Sequence, residues 1–154
     1  MDTVDTDTTK HAAVFQNGKI KDLGTLAPMG SIATAINDSG RVVGYSVVNP
    51  RDAHAFVYDL PDGPMRDVSA GNICLLRAIN SAGDAVGTCS PKEDARADVY
   101  RASIWRGGVW ADLNGLVLDP SWTLYDAKAI NDRGQITGTG DHNHQFRAYL
   151  LTPR

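Results

Sequence analysis

Apolar residues along this chain come in short runs that never settle into a helical period. Three runs break at the same phrase: Ala35-Ile36-Asn37-Asp38-Ser39-Gly40-Arg41-Val42-Val43-Gly44, Ala78-Ile79-Asn80-Ser81-Ala82-Gly83-Asp84-Ala85-Val86-Gly87, and Ala129-Ile130-Asn131-Asp132-Arg133-Gly134-Gln135-Ile136-Thr137-Gly138. An apolar run that stops at Asn, turns through Gly and resumes is the pattern of a β-hairpin. Asn and Asp open turns because their side chains bond nearby backbone N–H groups, and Gly accepts a positive φ without steric cost. The spacing predicts a type I turn followed by a left-handed Gly, the three-residue hairpin loop.

A second phrase recurs out of step with the first. It reads His11-Ala12-Ala13-Val14-Phe15, His54-Ala55-Phe56-Val57-Tyr58, Arg101-Ala102-Ser103-Ile104-Trp105 and Arg147-Ala148-Tyr149-Leu150-Leu151, at offsets of 43, 47 and 46 residues. Tight turns follow at Asn17-Gly18 and Gly107-Gly108, with a longer loop at Pro61-Asp62-Gly63-Pro64. The return strands over Lys19–Leu23, Met65–Val68 and Val109–Leu113 each carry Asp and then an aliphatic: Asp22-Leu23, Asp67-Val68, Asp112-Leu113. Counting from the turns sets Phe15 against Ile20 and Trp105 against Trp110 as cross-strand pairs.

Period two puts Ala12, Val14 and Leu23 on one face, and Ile36, Ile79 and Ile130 opposite to Ala35, Ala78 and Ala129. Both faces are apolar, as in strands buried on two sides. A period of 20–50 residues signals repeat architecture. The pattern predicts an all-β protein of three repeats, about 45 residues each, of four short antiparallel strands. A propeller-like array is the expected form, with a three-fold trefoil-like or prism-like closed barrel as the alternative. The extra strand over Arg147–Leu151 is expected to close the structure by completing a sheet begun at the N-terminus. The repeat domain spans 11–154, and 1–10, polar and acidic, reads as a disordered tail.

These phrases resemble the HAF-repeat family, a bacterial family of extracellular repeats, whose pattern runs Ala-Ile-Asn-Asp-x-Gly-x-Val-Val-Gly, His-Ala-Phe, Gly-x-Met-x-Asp-Leu. The best copy is Ala35 to Gly44, His54-Ala55-Phe56, Gly63-Pro64-Met65 and Asp67-Val68. The likeness covers residues 11–151, with Arg101 and Arg147 standing where the pattern has His. The resemblance implies export and a β-sheet repeat fold, and it implies no reaction.

Composition changes this picture little. The 154 residues are 42% hydrophobic and 21% charged, with a net charge of −3. Without runs of Lys or Arg, nucleic acid is not an expected partner. No apolar stretch reaches the ~20 residues of a membrane helix, and the chain as given shows no apolar leader. The expected location is secreted or cell-envelope, and the expected partner is a protein or glycan of the cell surface.

Candidate chemistry is sparse. No nucleophile elbow, HExxH, P-loop or dinucleotide motif occurs, so no catalytic residue or cofactor is expected and the chain reads as non-enzymatic. Asp141-His142-Asn143-His144 is the densest cluster. His142 and His144 are weak candidates for a metal pair, since imidazole suits zinc or copper, although a solvated loop is the default. Trp110 and Trp122, near Tyr100 and Tyr125, are possible stacking platforms for sugars, against a default of core packing. The acid pairs Asp59/Asp62 and Glu93/Asp94 keep a glycoside-type hydrolase as the least favoured reading. Cys74 and Cys89 are a possible disulfide. A four-residue loop pairing Ile79 with Asp84 sets them opposite each other, and a three-residue loop turns them to opposite faces.

Overall fold

The computed structural model describes residues 10–92 and 100–154. The protein is all-β, in four small antiparallel sheets. A hairpin pairs β1 (Ala13–Gln16) with β2 (Lys19–Asp22). A first four-stranded sheet runs β3 (Ser31–Ile36), β4 (Arg41–Asn49), β5 (Asp52–Asp59), β6 (Arg66–Asp67). A second runs β7 (Ile73–Ile79), β8 (Ala85–Ser90), β9 (Ala102–Arg106), β10 (Val109–Asp112). A 3₁₀ turn over Leu113–Leu116 leads to a three-stranded sheet of β11 (Trp122–Ile130), β12 (Ile136–His142) and β13 (Gln145–Leu151). Among the described residues every strand bonds only to its neighbours in sequence. The closure expected through the C-terminal strand is not formed: β13 pairs with β12, β1 pairs with β2, and among the described residues no sheet closes into a barrel. The expected acidic tail and the pair Glu93/Asp94 lie outside the described residues, except for Lys10, whose carbonyl accepts from Ser31 N at 2.8 Å.

The sheets stack face to face, so strands of the middle sheets are apolar on both sides. Ala12 and Leu23 of the N-terminal hairpin pack on Val42, Phe56 and Tyr58. On the other side of that sheet, Val43, Ala55 and Val57 meet Cys74, Leu76, Ala85 and Trp105 of the second. Val86, Ala102 and Ile104 then meet Leu124, Ala127, Ile136 and Tyr149 of the third. Matching positions differ in burial according to their place in the stack. Val57 is 0% exposed and Ile104 6%, whereas Leu150, on the far face of the last sheet, is 62% exposed.

The three Asn hairpins share one geometry. Asn37 N donates to Arg41 O at 3.1 Å, Asn80 N to Asp84 O at 3.0 Å and Asn131 N to Gln135 O at 3.1 Å. The loop is therefore the three-residue type, with Gly40, Gly83 and Gly134 left-handed at φ of 80°, 87° and 72°. Two or three residues before each Asn the ladder slips by one: between Ala33 and Ala35, Leu76 and Ala78, and Ala127 and Ala129. These are β-bulges at Thr34, Arg77 and Lys128, absent from the expected register. The slip explains the cysteines. A three-residue loop alone would turn Cys74 and Cys89 apart, but the bulge at Arg77 restores them to facing positions with Cα atoms 4.1 Å apart, joined by a disulfide.

The bulge also explains the Gly that ends each phrase. A Cβ on Gly44, Gly87 or Gly138 would drive into the carbonyl oxygen of Ile32, Leu75 or Asp126. Backbone comes too close there for any side chain.

Asparagine stitches the stack. Each Asn Oδ1 accepts the backbone N–H four residues on: Arg41 at 2.9 Å, Asp84 at 2.9 Å, Gln135 at 3.0 Å. The amide at the other end reaches the next sheet. Asn37 Nδ2 donates to Asn80 O at 3.1 Å, and Asn80 Nδ2 donates to Asn131 O at 3.2 Å. In the last copy Asn131 Nδ2 turns back to Gln135 Oε1 at 2.8 Å.

Two stability predictions come from this geometry. Gly87→Ala should cost about 3 kcal/mol or prevent folding, because backbone cannot step aside, whereas Gly115→Ala, which meets nothing within 4 Å, should be near neutral. Asn80→Asp keeps the turn acceptor but places a carboxylate against the Asn131 carbonyl, and should cost about 2 kcal/mol; Asn131→Asp should cost about 0.5 kcal/mol. Urea unfolding of the four variants checks both.

Candidate functional site

The strand phrase that begins with a basic residue and the return strand that carries Asp are two halves of one contact. His11 Nδ1 lies 2.8 Å from Asp22 Oδ2, His54 Nδ1 2.7 Å from Asp67 Oδ2, and Arg101 Nη1 3.5 Å from Asp112 Oδ2. The second oxygen of each Asp caps the turn that follows, accepting from Gly24 N at 2.7 Å, Ser69 N at 2.8 Å and Asn114 N at 2.8 Å. His and Arg interchange at this position because only a donor facing the carboxylate is required. Arg147 has the same place in β13, yet its bonds run to Phe146 O and Gln145 Oε1.

His54 carries more than this pair. Its Nε2 lies 3.5 Å from Asp52 Oδ1, and neither atom, both buried, has a hydrogen-bond partner among the described residues. Asp52 is only 7% exposed, and its other oxygen meets Lys92 Nζ at 2.9 Å. Asp52 and His54 project from one face of β5 two residues apart, a spacing visible in Asp52-Ala53-His54. Sequence reading placed His54 with His11 as strand-opening residues of the repeat, and missed Asp52 and Lys92. The arrangement orients an imidazole between two carboxylates at the end of the sheet where β4 turns into β5.

At the matching end of the three-stranded sheet, Trp122 pairs in register with His142. Their rings stack with centroids 4.6 Å apart and 16° between planes, and Tyr149 meets Trp122 edge-on at 6.5 Å. His142 Nε2 lies 3.9 Å from Asp119 Oδ2. Asp119 is pinned by Ser121 Oγ at 2.6 Å and Ser121 N at 3.0 Å, which hold its carboxyl below the usual range. Burial pushes the Tyr149 phenol up, and it donates to Asp126 O at 2.6 Å.

Two of the sequence candidates, Trp122 and His142, thus come together, while two others stand apart. His144 occupies the turn after β12, left-handed at φ 63°, with its N–H bonded to Asp141 Oδ1 at 2.7 Å. Among the described residues no three His, Cys, Asp or Glu side chains gather as metal ligands. Trp110 lies against the core between the two four-stranded sheets, its Nε1 donating to Val68 O at 2.6 Å, so its ring is not an open platform. Asp59 binds Arg41 at 2.6 Å and Arg66 at 2.9 Å, and Asp62 binds Lys21, so this acid pair serves ion pairs rather than one cleft.

No family model matches the chain, and no curated protein matches it.

The Arg41 guanidinium holds the Asp59 carboxyl below its ordinary 3.8. The Gly24 N–H, then His11, does the same for Asp22. A carboxyl lowered by folding contributes stability that is present above its unfolded value and is lost as pH falls through the folded value. Stability in urea should therefore hold from about pH 7 to about pH 5 and decline below about pH 4. Asp59→Asn should flatten that decline.

Proposed function

We propose that this chain is a non-enzymatic, exported interaction module, a propeller-like array of three repeats of about 45 residues that presents its partner with a rim of loops. The observation that carries this reading is a contrast within the fold. The Asn hairpins keep one register and one bulge position at one end of the strands. At the other end the connections differ: Pro50-Arg51 between β4 and β5, a span of eleven residues from Pro91 to Arg101 between β8 and β9, and Asn143-His144 between β12 and β13. Loops that vary on an unvarying scaffold are where binding is usually carried. The like strand order of the two four-stranded sheets supports the repeat reading. The disulfide supports an oxidising compartment, and with the HAF-like phrases it supports export.

The partner on this reading is a protein or glycan of the cell surface. Lectin-like binding is the second reading, favoured by the Trp122–His142 stack with Asp119 and Asn143 beside it. A glycoside hydrolase has less support. Among the described residues the carboxylates whose titration is displaced, Asp22, Asp59, Asp119 and Asp132, are displaced downward by hydrogen bonds, opposite to what a general acid needs.

The test compares the two ends of the strands. The immobilised chain should bind bacterial envelope fractions. Arg51→Glu with Asn143→Glu on the rim should abolish that binding, while Asp38→Ala at the Asn turns should leave it intact. Equal effects at both ends would overturn the rim reading. A glycan array with a tryptophan fluorescence change lost in Trp122→Leu would move the assignment to the lectin reading.

A further inference from the structure

His54 stands between two carboxylates, and only one of the two contacts is a formed hydrogen bond. An ionised Asp67 can only accept, so His54 Nδ1, 2.7 Å from Asp67 Oδ2, carries the proton of that pair. Asp67 is itself fixed, its Oδ1 taking the Ser69 N–H at 2.8 Å. In a neutral ring Nε2 is then a bare lone pair. It faces a second lone pair, on Asp52 Oδ1, at 3.5 Å. Both atoms are buried, and neither has a hydrogen-bond partner among the described residues. Two acceptors set against each other away from water are costly. One further proton, on Nε2, makes them donor and acceptor and leaves an imidazolium bridging Asp52 and Asp67.

The same contact recurs in β13 with groups that do not titrate. Arg147 holds the place of His54, and Gln145 stands two residues before it, as Asp52 stands before His54. There Arg147 Nη2 donates to Gln145 Oε1. The strand closes this contact when its basic residue is a permanent donor. Among the described residues, the charged groups facing His54 are Asp52 on its own strand and Asp67 on β6. Behind Asp52 stands Lys92, on the connection that follows β8, its Nζ 2.9 Å from Asp52 Oδ2. The partner of His54 across β4 is the neutral Ser46. Asp52 opens β5 directly after Pro50-Arg51, so its carboxylate links connections of two different sheets.

We infer that Asp52, His54 and Asp67 form a proton-operated clasp that sets the position of these two connections. Imidazole changes charge between about pH 5 and pH 8. On the acid side His54 donates at both nitrogens. Asp52 is then held between the ring and Lys92, which fixes the Pro50-Arg51 turn against the connection after β8. As pH rises, the Nε2 proton leaves to solvent, the facing lone pairs repel, and Asp52 turns away from the ring and releases Lys92. The bond to Asp67 persists, since Nδ1 keeps its proton. The clasp belongs to the chain alone, so it does not depend on what the rim binds.

Nitrogen-15 NMR of the imidazoles and the backbone amides, followed on the intact chain from about pH 5 to about pH 8.5, tests it. His54 should show N–H at both nitrogens at the acid end and at Nδ1 alone at the alkaline end. The amides of Arg51, Asp52 and Lys92 should shift over the same interval. Asp52→Asn, whose amide donates to a bare Nε2 while its oxygen faces Lys92, should abolish the shifts of Arg51 and Lys92. His54→Arg, a permanent donor, should abolish them as well. The fold accepts Arg at this position, as Arg101 shows by its contact with Asp112 at 3.5 Å. Three results would each overturn the clasp: a ring without the Nε2 proton at the acid end, amides that stay still while that proton leaves, or an unchanged response in either variant.

Discussion

An asparagine side chain has an acceptor at one atom and a donor at the other, and this fold uses both ends of the same side chain on different sheets. The carbonyl end of Asn37 or Asn80 closes its own turn by taking the N–H four residues on. The amide end then bonds the backbone of the following sheet. Asp or Ser would close the turn as well, but neither presents an ionisation-independent donor and acceptor on opposed atoms. The turn geometry is thereby coupled to the stacking of sheets. If one hairpin changed its loop length, its amide would miss its neighbour, so the copies are constrained together rather than one by one.

The bulge before each turn serves the same stacking. It brings a carbonyl over the Gly that ends the phrase, which lets the two strands approach with no side chain between them. It also rotates the strand beyond it by one residue, so that apolar side chains face both neighbouring sheets. Sheets of this kind bury two faces and cannot be stable singly. The end sheets accordingly show residues whose counterparts are buried: Leu150 is 62% exposed where Ile104 is 6%, and Phe15 74% where Tyr58 is 6%.

Much of this was legible in the chain. The turn type, the left-handed Gly, the cross-strand pairs Phe15/Ile20 and Trp105/Trp110, and the face shared by Ala12, Val14 and Leu23 all follow from local rules. The bulges were not legible, because Thr34, Arg77 and Lys128 share no side-chain chemistry that would mark them. That gap left the register of Cys74 and Cys89 open. The recurring His or Arg and the recurring Asp were each visible, but their bond crosses the hairpin and needs the strand register. The stack of Trp122 on His142 spans two strands with two register shifts between them and the turn, so no spacing rule in the sequence joins them. Asp52 was legible beside His54 by its two-residue spacing, and only its burial shows that the pair matters.

Because each strand bonds only to strands adjacent in sequence, the chain never has to close a long loop to gain its first contacts. Any one hairpin can serve as a seed, and its neighbours can then zip onto it in either direction. A nascent chain could assemble sheet by sheet as it emerges, without waiting for its last residue.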